Sequence, residues 1–92
     1  MVYAVYILYS LKDKRLYVGC TSNVGERLPR HNTGHVAATR DRRPLVLIYT
    51  EEHDDTTKAF ARERFLKSLW GSREKKKILK TWIEGGGLKH SA

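Results

Sequence analysis

The run VYAVYILY, residues 2–9, constrains the fold more than any other segment of the chain. Its residues are mostly β-branched or aromatic, and such residues favour β-strands. Apolar side chains occupy both of the alternating faces, which is typical of a strand that is covered on both sides. The run therefore predicts a central strand of a sheet.

Two further runs have strand character. LYVGC, residues 16–20, follows the charged turn SLKDKR and predicts a hairpin partner for the first strand. PLVLIYTEE, residues 44–52, predicts a third strand, with Pro44 at its start, where a missing N–H is tolerated. The acidic segment EEHDD, residues 51–55, is explained by solvated charges and a helix cap better than by a metal cluster.

The alternation of side chains in the second strand separates Tyr17 from its aliphatic neighbours. Leu16, Val18 and Cys20 share one face, while Tyr17 lies on the other face with Gly19. Because glycine has no side chain, we expect open space beside Tyr17.

The first helix has a clear start signal. Asn23 followed by Glu26 has the spacing of a capping box, which predicts a helix from Val24 to Asn32 that ends near Gly34. Pro29 predicts a kink or a 3₁₀ stretch inside this helix.

Two more helices are predicted after the third strand. HDDTTKAFARERFLKSLWG predicts a helix from Thr56 to Trp70, with Gly71 at its end. SREKKKILKTWIEGGG predicts a short helix that is basic on one side and is closed by three glycines. The order ββαβαα indicates an α+β domain, with a small three-stranded, mainly antiparallel sheet flanked by helices over residues 1–84. Residues 85–92 are expected to form a flexible tail.

The charge balance points to a polyanionic partner. The 92 residues carry a formal net charge of +8, which favours nucleic acid over a membrane surface. The absence of a long apolar run or a signal peptide, together with a single cysteine, favours a cytoplasmic protein. The basic loop TRDRR and the segment REKKKILK are expected to contact DNA phosphates, and the residues predicted for this role are Arg40, Arg42, Arg43, Lys67, Lys75 and Lys76. Phosphate contacts carry no sequence information, so a preference for DNA structure is expected rather than for a sequence.

Glu63 lies in the apolar stripe of the helix that is predicted from Thr56 to Trp70. Ala59, Leu66 and Trp70 form this stripe, and Phe60 and Leu69 flank it. A buried carboxylate is costly unless it meets a cation or several donors. Glu63 therefore pairs with an arginine, sits at the edge of the core, or serves as a metal ligand or catalytic acid/base.

Four chemically different groups then stand out: Tyr17, Arg27, His31 and Glu63. Arg27 and His31 are four residues apart and share one face of a regular helix. A carboxylate for a divalent cation, an arginine for a phosphate and a phenol for water would suit phosphodiester hydrolysis.

Ordered motifs carry a resemblance. They are VYI at residues 5–7, YVG at 17–19, TSNVxxRLxxH from residue 21, TRDRRP at 39–44, and FARERFLK at 60–67. In this order and spacing the chain resembles the GIY-YIG endonuclease superfamily, specifically its small stand-alone bacterial members. It is also similar to the nuclease domain of the excision-repair incision nuclease and to structure-specific junction and flap endonucleases.

The resemblance implies a role for each matching residue. Tyr6 and Tyr17 are the two motif tyrosines, and Tyr17 is favoured as the general base. Arg27 binds and stabilises the phosphate, and His31 assists the reaction. Glu63 holds one divalent ion, Mg²⁺ or Mn²⁺, and Gly19 permits a close approach.

The chain departs from the family pattern at two points. Val5 replaces the glycine of the first motif, and no asparagine follows Asn32, although larger relatives carry one beyond the metal glutamate. The resemblance implies a metal-dependent DNA endonuclease of repair or recombination. The alternatives are a non-catalytic nucleic-acid-binding module, or a nuclease subunit that is inert without a protein partner supplying DNA specificity.

Overall fold

The computed structural model describes residues 2–87 and contains a three-stranded antiparallel sheet. The central strand is β1 (Tyr3–Ser10), which pairs with β2 (Leu16–Thr21) on one side and with β3 (Leu45–His53) on the other. Three α-helices complete the fold: α1 (Val24–Asn32), α2 (Thr56–Lys67) and α3 (Ser72–Glu84). The predicted α+β class, the ββαβαα order and the central position of β1 are confirmed.

Alternate side chains of β1 belong to two hydrophobic cores, one on each face of the sheet. Val5 and Ile7 pack with Ala59 and Leu66 of α2 on one face of the sheet. On the other face, Tyr6 and Leu8 pack with Leu45, and the α1 residues Val24 and Leu28 lie against them. Burial of both faces explains why this strand is apolar at nearly every position.

Helix α1 has the bounds that its capping signal predicts. The Asn23 side chain accepts a hydrogen bond from the Glu26 backbone N–H at 3.1 Å, and the helix is α-helical through Asn32. Of the two outcomes expected at Pro29, the 3₁₀ stretch is therefore wrong, and the kink stays a prediction. Proline removes the helical bond to the Gly25 carbonyl, and Gly25 is exposed, so water can replace the missing donor at small cost.

Helix α2 is shorter than its apolar periodicity predicts. It ends at Lys67, where Ser68 turns extended and its hydroxyl donates to the Phe65 carbonyl at 2.6 Å. A 3₁₀ turn, Leu69–Gly71, then leads into α3, and a Cβ at Gly71 would overlap the backbone of Phe65 and Leu66. The predicted extension of the helix to Trp70 is wrong because the backbone leaves the helix at Ser68.

Arg62 connects three elements of the fold. Its guanidinium donates to Glu51 of β3 at 2.9 Å and to both carboxylate oxygens of Glu74 of α3 at 2.6 and 2.9 Å. Tyr49 and His53 also contact the Glu51 carboxylate, each at 2.7 Å. Burial acts to raise the pKa of Glu51, but these hydrogen bonds outweigh it and hold that pKa below its usual value.

The segment EEHDD thus has the structural role that its sequence predicts. Glu51 belongs to the Arg62 network, and the Asp55 side chain caps α2 by accepting from the Thr57 N–H at 2.7 Å. Gly85 caps the end of α3 through its N–H. Of the predicted tail, residues 88–92 lie outside the described residues. Within residues 2–87, no helix is long and apolar enough to cross a membrane.

Candidate active site

A buried chain of side chains connects β1, α1 and the loop that follows it. The Tyr6 hydroxyl lies 2.8 Å from Nε2 of His31, and Nδ1 of His31 lies 2.8 Å from Oγ1 of Thr39. Tyr6 is only 1% exposed, and His31 and Thr39 are fully buried. The residues are brought together by folding, because 25 positions separate Tyr6 from His31.

The environment of these groups sets the direction of their hydrogen bonds. Burial lowers the pKa of His31, and the nearby charge of Arg27 lowers it further, so the imidazole is neutral at pH 7. Burial likewise raises the pKa of Tyr6, so its phenol keeps the proton. We assign the tautomer from these partners: Tyr6 O–H donates to Nε2, and Nδ1–H donates to Thr39.

Gly19 makes room for Tyr6. The two residues face each other across the β1–β2 ladder, and a Cβ on Gly19 would overlap the end of the Tyr6 ring. The open space that the sequence predicts beside Tyr17 is therefore not open, because the Tyr6 ring occupies it. Any larger residue at position 19 would displace the phenol from His31.

Val5 does not disturb this arrangement. It stands where the first motif of the family has glycine, is fully buried in the apolar core, and pairs regularly with Cys20 and Glu51. Its side chain fills the opposite face of the sheet from the Tyr6 ring. The contact between Tyr6 and His31 therefore forms without a glycine at position 5.

Tyr17 lies beside this chain with its hydroxyl unpaired. Its ring centroid is 5.0 Å from that of His31 and 6.4 Å from that of Tyr6. Tyr17 is half-buried and packs on the α1 face of the sheet, as the alternation of β2 predicts. Its hydroxyl forms no hydrogen bond to any other described residue, which leaves it available to a water or a phosphate.

Arg27 is the cation of the site. Its guanidinium lies close enough to the Tyr6 phenol to oppose the effect of burial on the pKa of that group. Its Nε is buried, yet it has no hydrogen-bond partner in the part of the chain that the structure describes. A buried donor without a partner costs free energy, and an anionic oxygen is the acceptor that such a donor binds best.

Glu63 approaches the site from α2. Its carboxylate is 22% exposed and pairs with Lys67 one turn along the helix, at 3.2 Å. Its negative charge acts to raise the pKa of Tyr6 and that of Cys20, for each of which burial is the larger cause. Glu63 therefore lies at the edge of the core and within electrostatic range of the tyrosine.

The stripe predicted around Glu63 is only half correct. Ala59 and Leu66 are buried as predicted, but Phe60, Leu69 and Trp70 are exposed. The Tyr6 phenol nevertheless connects the predicted catalytic residues, because it bonds His31 and its pKa responds to Tyr17, Arg27 and Glu63.

The basic residues predicted to bind DNA are partly engaged within the chain. Arg42 pairs with Asp13 at 2.7 Å, and this bond lowers the pKa of Asp13 to about 2. Nε of Arg40 donates to the Gly34 carbonyl at 3.3 Å, and Nε of Arg43 donates to the Arg40 carbonyl at 2.7 Å. Lys67 pairs with Glu63, whereas Lys75 and Lys76 lie on α3 and Lys76 is exposed.

The site offers one carboxylate to a metal ion. Among residues 2–87 no group of three or more His, Cys, Asp and Glu side chains converges. Mg²⁺ commonly keeps several waters and binds one or two carboxylates together with substrate phosphates. A partly exposed Glu63, within electrostatic range of the Tyr6 phenol, fits such an ion, provided that Lys67 yields its place.

Thr39 is the site residue that the sequence does not reveal. It is part of the TRDRR segment, which predicts only phosphate contacts, yet its hydroxyl lies against His31. Its Oγ1 also lies 3.4 Å from the Val36 carbonyl, to which it can donate while accepting from the imidazole. Burial of a threonine in an otherwise polar loop is a tertiary effect without a local sequence signal.

Comparisons with known proteins identify the family of the chain. Residues 2–77 match the family model of the GIY-YIG catalytic domain. A UPF0213 protein of Natronomonas pharaonis is 45% identical over 76 residues, which cover 82% of this chain and 86% of that protein. One from Staphylococcus haemolyticus is 42% identical over 73 residues, covering 78% of this chain and 85% of the relative.

A solved structure supports the fold. The solution NMR structure of a UPF0213 protein from Bacillus halodurans is 33% identical to this chain, with a TM-score of 0.53. The match covers 100% of this chain and 95% of that one.

Proposed function

Because the chain belongs to the GIY-YIG catalytic domain family, a nuclease superfamily, we propose that it is a metal-dependent endonuclease that hydrolyses DNA phosphodiester bonds. The observation that carries the proposal is the buried, unpartnered Nε of Arg27, within the described residues, beside the Tyr6 phenol. A site that leaves a buried cationic donor without an acceptor is suited to an anionic ligand.

Arg27 binds and neutralises the phosphate at the cleavage site. A guanidinium can donate two parallel hydrogen bonds to two phosphate oxygens, which an ammonium group cannot do. The same charge stabilises the additional negative charge that develops as the attacking oxygen approaches phosphorus.

Tyr17 orients the attacking water, and in its phenolate form it accepts the proton of that water as the water oxygen bonds to phosphorus. Tyr17 is half-buried and its hydroxyl has no hydrogen-bond partner among residues 2–87, so a water can bind there. Tyr6, His31 and Thr39 position the site, because their hydrogen bonds fix the imidazole against the Tyr17 ring. The bond from phosphorus to the leaving oxygen breaks on the opposite side.

Glu63 is the residue that would hold Mg²⁺ or Mn²⁺. Such an ion supplies positive charge that stabilises the phosphate and the departing oxygen. Lys67 pairs with Glu63, and it would be free to contact the DNA backbone if Glu63 held the ion.

The substrate is DNA of unusual structure, such as a flap, a nick, a branch or a single strand, in repair or recombination. The excess of positive charge provides affinity for phosphates of any sequence. No element of the described chain offers a separate base-reading helix of the kind that sequence-specific proteins insert into the major groove.

To test for endonuclease activity, the pure protein is incubated with labelled duplex, single-stranded, flap and branched DNA in the presence of Mg²⁺ or Mn²⁺. Glu63→Ala is the control, with circular dichroism to confirm that the variant is folded. Metal-dependent cutting by the wild type, absent in the variant, supports the proposal.

Binding without cutting on every substrate would overturn the proposal. It would favour the alternatives of a non-catalytic DNA-binding module or a subunit that needs a protein partner. The partner alternative has one observation in its favour, since Arg40, Arg42 and Arg43 all bond within the chain instead of presenting every donor to DNA.

A further inference from the structure

The turn between α2 and α3 displays two large apolar side chains to solvent. Leu69 is 90% exposed and Trp70 is 85% exposed. Exposed apolar groups of this size are usual where a partner binds, and tryptophan is among the least expected residues at such exposure. Neither residue takes part in the core or in the candidate active site.

The backbone holds this turn in one conformation. The Ser68 N–H and hydroxyl both bond the Phe65 carbonyl, and the Ser72 hydroxyl donates to the Leu69 carbonyl at 3.0 Å. Gly71 is buried against the end of α2, where a Cβ would not fit. The display of Leu69 and Trp70 is therefore built into the fold and is not a frayed helix end.

The charge around the turn identifies the kind of partner. Residues 62–77 contain seven basic side chains and two acidic ones, Glu63 and Glu74, which pair with Lys67 and Arg62. Protein interfaces are depleted in lysine at their core, whereas proteins that bind single-stranded nucleic acid combine a basic surface with aromatic rings on which bases stack. The surroundings of Trp70 match the second description.

The turn is also close to the candidate active site along the chain. Trp70 follows Glu63 by seven residues, four of them helical. The Cα atoms of the two residues are at most about 17 Å apart, from a rise of about 1.5 Å per helical residue and about 3.5 Å per extended residue. This span corresponds to about five stacked nucleotides at about 3.4 Å each.

We propose that Trp70, supported by Leu69, is a stacking platform for an unpaired DNA base a few nucleotides from the phosphate held at Arg27 and Glu63. The inference rests on the proposed function for the identity of the ligand as DNA. The substrate class is then a DNA strand with at least one unpaired base, which a flap or a single strand offers and an intact duplex does not.

Tryptophan fluorescence provides a direct test that does not depend on cleavage. The chain contains two tryptophans, and Trp82, which packs on Tyr9 at a centroid distance of 5.9 Å, is the other one. Trp82→Phe leaves Trp70 as the single reporter. Titration of this variant with an oligothymidylate single strand, without divalent metal, should quench the emission, while a blunt hairpin duplex should not.

Affinity measurements on variants of Trp70 separate stacking from simple apolar contact. Trp70→Ala and Trp70→Leu should weaken binding of the single strand at least about fivefold, while Trp70→Phe should retain most of the affinity. Trp82→Phe, the matched control, should bind as the wild type does. Anisotropy at fixed salt measures these constants, and circular dichroism confirms that each variant is folded.

Two results would overturn the stacking platform. The first is equal single-strand affinity of wild type and Trp70→Ala. The second is a wild-type dimer in sedimentation that becomes a monomer in Trp70→Ala, which would assign the turn to self-association. Quenching of Trp70 without any metal-dependent cutting would support the stacking platform and overturn the endonuclease proposal. Metal-dependent cutting with unchanged single-strand affinity of Trp70→Ala would support the endonuclease proposal and overturn the stacking platform.

Discussion

Arg27 and Arg62 are two half-buried arginines with opposite surroundings. Arg62 donates to two carboxylates, and these bonds, with that to Glu74 the strongest, raise its pKa. Arg27 lies beside a phenol and an imidazole, and its buried Nε has no partner within residues 2–87. The Arg62 guanidinium bonds through all three of its nitrogens and holds β3, α2 and α3 together, whereas that of Arg27 keeps a buried nitrogen without a partner among the described residues.

The difference shows how a small basic domain separates stability from chemistry. A satisfied charge contributes to the fold, because removing it leaves its partners buried and unpaired. An unsatisfied one costs stability and is retained where a ligand supplies the missing acceptor. The comparison predicts that substitutions at the two arginines have different consequences.

The largest effect is expected at Arg27. Arg27→Ala should reduce the single-turnover rate of DNA cleavage by at least about 100-fold, because the charge that stabilises the transition state is lost. Its free energy of unfolding should stay the same or rise by up to about 1 kcal/mol, because the substitution removes a buried donor that has no partner within residues 2–87. Arg30→Ala, an exposed neighbour on the same helix, is the matched control. A variant of Arg27 that cuts normally would contradict the comparison.

The opposite result is expected at Arg62. Arg62→Ala should lower the free energy of unfolding by about 2 kcal/mol, because Glu51 and Glu74 lose their shared cation. Urea denaturation measures this change, and Arg64→Ala on the exposed side of α2 serves as the control. Equal unfolding free energies of the two variants would show that the network contributes little.

The pH profile of cleavage tests the tyrosine. Because phenols lose their proton near pH 10, a base of this type becomes more abundant as the pH rises. The cleavage rate should therefore increase by about tenfold or more between about pH 7 and about pH 9. Tyr17→Phe should abolish both the activity and the slope. A flat wild-type profile would argue against a phenolate base.

Substitution of Thr39 tests whether the buried hydrogen bonds of Tyr6, His31 and Thr39 affect the function of Tyr17 and Arg27 beside them. Thr39→Val keeps the shape but removes the acceptor for Nδ1 of His31, so the imidazole loses its fixed tautomer. We expect a fall of about fivefold in the cleavage rate and rescue by Thr39→Ser. An unchanged rate in Thr39→Val would make the hydrogen bond purely structural.

The smallest effect concerns stability at mildly acidic pH. Burial lowers the pKa of His31 in the folded state below its ordinary value of 6.5, so the unfolded chain binds the proton more readily. The stability contributed by neutral His31 is complete above pH 6.5 and is lost as the pH falls from there toward the folded pKa. Urea unfolding at a series of pH values should show a shallower decline in His31→Gln, with the exposed His35→Gln as control. Identical slopes in wild type and His31→Gln would contradict the assignment.

Local signals in the sequence were sufficient for much of the fold. Alternation places Tyr17 and Val18 on their correct faces, and the Asn23 cap gives the bounds of α1. The end of α2 is different, because periodicity continues through Trp70 whereas Ser68 and the close packing of Gly71 end the helix. That packing folds the turn back onto the backbone of Phe65 and Leu66, and a helical pattern in α2 does not describe such a contact.

The candidate site, too, was only partly predictable from local signals in the sequence. Glu63 stands out in the sequence because a carboxylate is unexpected in an apolar helical stripe, and the ordered motifs single out Tyr6 and Arg27. The contacts of these residues depend on tertiary structure. The hydrogen-bond partner of Tyr6 is 25 residues away in the sequence. Arg62 is next to Glu63 in the sequence, yet its guanidinium bonds Glu74 of α3. The sequence predicts which chemical groups form the site, and the fold decides which of them have partners.

The most direct test of the account follows the arginine side chains themselves. NMR spectra of the Nε–Hε groups, recorded without divalent metal, distinguish Arg27 from Arg62 during titration with a short single-stranded DNA. The Hε resonance of Arg27 should move downfield as its Nε acquires a phosphate acceptor, while that of Arg62 should stay in place. Movement of Arg62 with Arg27 unchanged, or binding that moves neither, would contradict the claim that the unpartnered guanidinium is the phosphate site.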